Sequence, residues 1–436
     1  MKWILVLLLP TAAAQSVDKS WDPGPEVQRR LASESDGKLT LSFEARYRWE
    51  DRGRVNFGRE VDRDYVLVRH RLGLSYQPWK WLKVSAMVQD SRVPLYGSGA
   101  PNNVRDSADL QESYVELFPG QKLGFGALAG RMMLNYGEGR LIGTPQWGNV
   151  ARTFDHAHLS YKTRKARWEV LFVSPVKVEP LLFNRPNLGE RIWGTYNVLP
   201  EMGRKSVLEF YVLRHDQNRI GGFAGGSKAL GTDRLGTNTF GARMVGPLAP
   251  GWKYSLEGAL QSGRVGGLDH HAAAWFSSVT RRWTWRQRPL DWATEYKYAS
   301  GTSHPNESGT FDQLSPANHD KFGHADLFGW RNVHSLRSVI TLGWTKALSF
   351  NLMYDNQWLA SRTDALYNLN GRAIVRSPDG TAGRHVGQEA DAFFTYRIGS
   401  YTFGGGYGYF MNGEVVRKLT PNSPPTYAYA FSSYSF

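Results

Sequence analysis

Apolar and polar residues alternate one by one along most of this chain, the signature of half-buried strands rather than helices. From Leu39 to Trp49, Leu39, Leu41, Phe43, Ala45, Tyr47 and Trp49 share one face, and Thr40, Ser42, Glu44, Arg46 and Arg48 share the other. The pattern returns in Tyr65–Tyr76, where Val66, Val68, Leu72, Leu74 and Tyr76 oppose Arg69, Arg71 and Ser75, with His70 the exception on the apolar side. It recurs at 82–89, 254–261, 292–298 and 350–355. In a soluble sandwich the apolar face would cover a core; in a large barrel it meets lipid, and the charged face meets water in the lumen.

Connection lengths alternate as well. Short turns are expected at 77–80, 119–121, 163–165, 200–203, 247–251, 287–289, 346–347 and 399–400. Between them lie longer polar or Gly/Pro-rich stretches near 50–64, 91–108, 134–153, 175–190, 215–238, 263–270, 300–333, 359–389 and 412–424. This rhythm predicts an all-β fold: a transmembrane antiparallel β-barrel of about eighteen strands, with short periplasmic turns and long extracellular loops.

The N-terminus carries Met1-Lys2, an apolar run from Trp3 to Pro10, and Ala12-Ala13-Ala14 before Gln15, which together read as a secretory signal peptide over 1–14. Residues 15–38 are expected to be a periplasmic lead-in, disordered or capping, and 39–436 the barrel. Nothing in the chain approaches the ~20 apolar residues of a spanning helix, so membrane residence requires a closed barrel. The sequence finishes on TYAYAFSSYSF, a terminal aromatic strand typical of barrels handed to outer-membrane insertion machinery. Tyr427, Tyr429 and Phe431 lie on the opposite alternation from Tyr434 and Phe436, which predicts a bulge near Ser432-Ser433.

Composition sharpens this picture. With 21 Tyr, 21 Phe and 16 Trp the chain is rich in aromatics, yet its mean hydropathy is −0.45, as expected of a wall greasy on one face and wet on the other. No cysteine is present, which excludes disulfides and thiolate metal sites. The formal charge of +14 predicts attraction to anions; loop solubility alone would also account for it.

Arginines recur at inward positions: Arg46, Arg48, Arg69, Arg71, Arg243 and Arg337, with Arg131 and Arg152 at either end of the loop at 134–153. A permanently charged planar fork suits carboxylates, and a ring of such groups in a narrow lumen selects anions. Glu44, Glu112, Glu116, Asp155, Glu257 and Glu389 are candidates to trim that charge. The competing role for each is an arginine–carboxylate lattice that stiffens the wall. His156 with His158, His270-His271, and His319, His324 with Asp326 are possible ligands, but first-row metals need three or four converging groups, so polar packing is the reading and no metal or cofactor is expected. Gly221–Gly226 lacks the ending of a phosphate loop, and no G-x-S-x-G elbow occurs. Arg281–Arg286, with its interleaved tryptophans, reads as an interfacial girdle rather than a nucleic-acid surface.

Several segments resemble the alginate export family of outer-membrane porins: VRHRLGLSYQPWKWLKVSAMVQDSR (68–92), DLQESYVEL (109–117), AGRMMLNYGEGRLIGTPQWGNVARTFDHAHLSY (129–161), FDQLSPANHDKFGHADLFGWRNVHSLR (311–337), MYDNQWLASRTDALY (353–367) and HVGQEADAFFTY (385–396). The resemblance implies an eighteen-stranded barrel with an arginine-lined, acid-trimmed pore for an acidic polysaccharide. It adds Arg331 and Glu389 to Arg69, Arg71, Arg131, Arg152 and Asp155 as lumen residues. The expected partners are an acidic polysaccharide or small anionic solutes, and outer-membrane lipid and lipopolysaccharide; the expected state is a monomer. Two other readings stay open: a barrel enzyme with Ser, His and an orienting group at one rim, and a receptor or structural barrel plugged by its own loops.

Overall fold

The computed structural model describes residues 22–96, 100–101, 103–203, 205–218 and 234–436. The signal-peptide segment, residues 15–21 of the lead-in and the Gly221–Gly226 stretch lie outside the described residues. Among the described residues, eighteen strands form the wall. They are β1 (Leu39–Gly53), β2 (Arg63–Trp79), β3 (Leu82–Arg92), β4 (Asp106–Leu117), β5 (Gly124–Met132), β6 (Phe154–Lys162), β7 (Arg167–Lys177), β8 (Glu190–Met202) and β9 (Ser206–Gln217). The second half comprises β10 (Leu235–Ala249), β11 (Trp252–Val265), β12 (Leu268–Trp285), β13 (Arg288–Ala299), β14 (Val333–Gly343), β15 (Leu348–Leu359), β16 (His385–Ile398), β17 (Tyr401–Asn412) and β18 (Thr426–Ser435). Consecutive strands pair antiparallel, and β18 closes on β1 from Glu44↔Ser435 to Gly53↔Thr426. Closure leaves no strand edge, as a hydrocarbon environment demands.

Strand faces follow the alternation in the sequence. Tyr47, Trp49, Leu72 and Leu74 are exposed on the outer wall, while Arg46, Arg48, Arg69 and Arg71 are buried inside. Trp79, Trp81, Trp252, Trp283, Trp285 and Trp344 cluster at the short turns; Trp79 and Trp81 stack at 5.2 Å, and the Arg288 guanidinium lies 3.3 Å from the Trp344 ring centroid. This is the amphipathic belt expected at a membrane interface.

Two expectations fail. The stretch at 263–270 is not a long loop: β11 and β12 run on to a two-residue turn at Gly266-Gly267, with φ of 59° and 86°. Both central positions are left-handed, the requirement of a type I′ hairpin, which glycine meets without strain. Nor is there a bulge at Ser432-Ser433; the pairing of β18 with β1 and β17 is continuous there. The aromatics change faces because their partners change. Tyr427, Tyr429 and Phe431 point inward around Trp147, whereas Tyr434 and Phe436 pack outside around Phe43.

The lead-in forms α1 (Gly24–Glu34) near the periplasmic end. The Asp22 carboxylate accepts hydrogen bonds from the Ser400 amide (2.8 Å) and the Tyr434 hydroxyl (3.1 Å). A side chain at Gly24 would collide with Phe436. The segment thus docks on the turn between β16 and β17 and on the end of β18.

The barrel's hydrophobic core lies inside its extracellular half. Leu141 and Ile142 from the β5–β6 loop, and Phe311, Phe322, Phe328 and Trp330 from the β13–β14 loop, pack on inward residues such as Phe154, Phe276 and Phe410. α2 (Glu414–Leu419) adds Val415 and Val416. Among the described residues, no helix is long and apolar enough to cross a membrane.

Gly194 on β8 has φ of 149°, and a Cβ there would sit 2.0 Å from the Val212 carbonyl oxygen. Gly194→Val is therefore expected to cut the yield of heat-modifiable, folded barrel on unheated gels by roughly tenfold, because the clash is with backbone.

Candidate functional site: a lumen divided by two clamped loops

The β1–β2 register places Arg46 directly opposite Arg69, and Glu44 opposite Arg71. Facing like charges destabilise a sheet unless something takes up their donors. The β5–β6 loop (133–153) does so. Arg46 donates to the carbonyls of Gln146 (3.0 Å), Trp147 (3.1 Å) and Gly148 (3.0 Å). Arg48 donates to the Trp147 carbonyl (2.6 Å), and Arg69 to those of Gln146 (3.0 Å) and Gly148 (2.7 Å). Arg71 reaches the Gln146 side chain (3.0 Å) and Gln89 (2.7 Å). Glu44 pairs with Arg69 at 2.6 Å and Glu50 with Arg48 at 2.7 Å. Trp147 is held between the Arg48 guanidinium, 4.0 Å from its centroid, and the His319 ring, stacked at 4.7 Å.

The far end of this loop is tied to the opposite wall. Glu138 pairs with Arg243 (2.8 Å) and Arg140 (2.8 Å), and Arg243 also with Glu209 (3.1 Å). The two arginines hold the Glu138 carboxylate below its ordinary value although burial works against its charge.

The β13–β14 loop (300–332) meets it inside the lumen. Backbone bonds join Ser315 to Leu141 (2.8 Å), Gly143 to Ser315 (2.9 Å) and Ala317 to Gly139 (2.8 Å), and Arg152 donates to the Pro316 carbonyl (2.8 Å). Asp312 accepts from His215 (2.6 Å) and Thr237 (3.0 Å) and lies 3.3 Å from Arg331. Arg337 donates to the Asp320 carbonyl. Glu389 accepts from the Ala325 amide (2.8 Å). The Phe-Gly-Trp-Arg-Asn run at 328–332 anchors this loop: Trp330 donates to the Tyr298 carbonyl, and Asn332 brackets Ser361 and Ala365.

The sequence-derived residues therefore face inward as their parity requires, but most meet loop backbone rather than open water. Arg46, Arg48, Arg69, Arg71, Arg243, Arg331 and Arg337 are each no more than 9% exposed. The expected lumen arginines are thus arranged as a clamp under two folded-in loops. Arg131 sits apart, in a fork with Asp155 (2.9 and 3.3 Å) and the Asn184 carbonyl (3.0 Å). Of the acids, Glu112 accepts from Met133 (2.8 Å) and Glu257 from Tyr211 (3.0 Å). His270 bonds Ser308 and Gln261, and His271 points outward. His319 pairs with Asp326 at 2.8 Å.

Between the two loops lies a gap of about 440 Å³ bordered by Glu138, Gln146, Trp147, His319, Asp320 and Lys321. The surrounding wall is electrically uneven. On β1–β2, Arg46, Arg48, Arg52, Arg69 and Arg71 face only Glu44 and Glu50. In the loop-covered half of β9–β16, away from the short turns, Glu209, Glu257, Glu295, Asp355, Glu389 and Asp391 outnumber Arg243, Lys297 and Arg337. Sequence reasoning missed Trp147, Asp312, Glu138 and Lys321, since long polar loops carry no period that marks which residues turn into the lumen.

Arg46→Ala combined with Arg69→Ala strands the carbonyls of Gln146 and Gly148 and leaves that of Trp147 to Arg48 alone. Single-channel conductance in planar bilayers is expected to rise by roughly twofold or more as the loop loosens. A pH effect should accompany it. Burial among His319, Asp320, Asp326, Arg337, Phe393, Asp391 and Tyr429 pushes the His324 imidazole down to about 4. A released His324 would bind a proton near ~6.5, so the packed loop loses stability as pH falls from there toward 4. The His319 imidazole holds the Asp326 carboxylate low despite its burial, and that contribution is lost at still lower pH. Open-channel noise is expected to grow between pH 6.5 and 4.5 and to stay flat in His324→Phe.

The folded barrel has clear structural counterparts. Outer-membrane proteins of Pseudomonas aeruginosa match it: OccK11 (OpdR) at 11% identity over 91% of this chain and 96% of that one, with a TM-score of 0.61, and opdK at 10% identity over 91% and 98%, with a TM-score of 0.60. OccAB2 of Acinetobacter baumannii follows at 9% identity over 91% and 98%, with a TM-score of 0.58. At such identities the likeness shows the fold. No curated protein matches the chain in sequence. The sequence does match the family described as alginate export, over residues 37–429, which is almost the whole wall and both clamped loops. The chain therefore belongs to the alginate export family.

Proposed function

We propose that this barrel is a passive, anion-preferring channel of the outer membrane that carries an acidic saccharide through the gap between its two inner loops. The observation that carries this reading is the excess of arginine over acid on the β1–β2 wall beside that gap. Buried guanidinium groups keep their charge, and their field reaches past the loop carbonyls that accept their hydrogen bonds. The acids opposite give weak, repeated contacts, which a polymer or oligomer needs in order to leave each site. Family membership supports a saccharide as cargo, and the narrow gap favours one extended chain or a small anion over a bulky solute.

A second reading, a receptor or structural barrel plugged by its loops, draws on the interlocking bonds at 139–143 and 315–317. Conductance separates the two. Under a salt gradient the purified protein is expected to give discrete channels with an anion-selective reversal potential. Lys321→Glu, at the gap itself, should lower the anion-to-cation permeability ratio by about twofold or more. Absence of channels would favour the plugged barrel, and cation selectivity would overturn the proposed cargo.

A further inference from the structure

The lumen wall carries one group of side chains that the channel account does not use. His156 and His158 lie two apart on β6 and so share its inner face, and Glu169 reaches the same place from β7. One nitrogen from each imidazole and one carboxylate oxygen lie within 4.8 Å of one another. His156 and Glu169 are 6% and 4% exposed, and each imidazole keeps a buried Nδ1 with no hydrogen-bond partner. We propose that His156, His158 and Glu169 form a binding site for a divalent transition-metal ion of the zinc class.

The donor set suits such an ion. Two neutral imidazoles and a carboxylate are a recurrent three-ligand set for zinc, leaving a fourth position for water. Borderline nitrogen donors favour zinc, nickel and copper, whereas magnesium and calcium require oxygen. Ligand atoms about 2.1 Å from a tetrahedral ion stand ~3.4 Å apart, inside the 4.8 Å within which these three lie, so at most modest side-chain rotation closes the site. The room for it exists, because the Arg167 side chain that pairs with Glu169 at 3.3 Å is 36% exposed and free to swing away.

The outer partners are in place too. The Tyr136 hydroxyl bonds the Glu169 carboxylate and lies 3.3 Å from Nε2 of His156. An orienting group on the far nitrogen of a ligand histidine fixes its ring and tautomer. Purely structural histidines would be expected to spend both nitrogens on protein partners; these two do not, and an ion would satisfy the buried nitrogens. Because Tyr136 belongs to the β5–β6 loop, a bound ion would also tie that loop to the β6–β7 wall.

The test uses full-length barrel purified in detergent without a polyhistidine tag, stripped with chelator and titrated with Zn²⁺ by calorimetry. Co²⁺ serves as a visible-absorption probe of imidazole ligation. The wild type is expected to bind one Zn²⁺ per barrel, unaffected by excess Mg²⁺ or Ca²⁺. His158→Ala and Glu169→Gln should each weaken binding by about 100-fold, while His271→Ala, on the outer face, leaves it unchanged. Unheated gel migration reports folding of each variant, and Glu169→Gln decides the matter if His158→Ala fails to fold. No binding to the folded wild type, or binding undiminished in either folded ligand variant, overturns the site.

Discussion

Two arginines directly opposite each other on the inner face of a barrel cannot be left alone. Arg46 and Arg69 are register partners, with Arg48 and Arg71 beside them, and only Glu44 and Glu50 offset their charge. Each guanidinium has five donors in a fixed plane, and the four together offer far more than the roughly eight acceptor sites of two carboxylates. The loop carbonyls at Gln146, Trp147 and Gly148 supply what is missing. That requirement draws the β5–β6 loop into the lumen, and the rest of the interior follows from where the loop is held.

Once that loop lies inside, the β13–β14 loop packs on it through paired backbone bonds and a stacked Trp147–His319 contact. Together they create what an open barrel lacks, an apolar core between wall and loops. The wall satisfies the bilayer and the loops satisfy the wall. The gap is then bordered by loop atoms, while the arginine charge of the wall sits one layer behind them. In the proposed channel, selectivity and aperture would rest on different residues: arginines of β1 and β2 for the field, and Glu138, Asp320 and Lys321 for the opening.

Much of this was legible in the sequence because a barrel wall has a two-residue period. The inward arginines follow from that period, and the strand number follows from the short-long rhythm of the connections. The loops have no period, so Asp312 and Trp147, both anchors of the interior, looked like ordinary polar-loop residues. The same blindness produced the mistaken bulge at Ser432-Ser433. Tyr427, Tyr429 and Phe431 are aromatic on the inner face because folded-in loops wait there to receive them, and no strand pattern records that. His156 and His158 were visible as a pair, but Glu169 joins them only through the β6–β7 register.

The central claim is that the two loops form a fixed partition inside the barrel. Hydrogen–deuterium exchange of the wild-type protein in detergent or nanodiscs tests it directly at the amides of Gly143, Ser315 and Ala317, which bond across the loop junction. The account predicts protection comparable to that of neighbouring barrel strands. Exchange as fast as that of an exposed extracellular loop would contradict it.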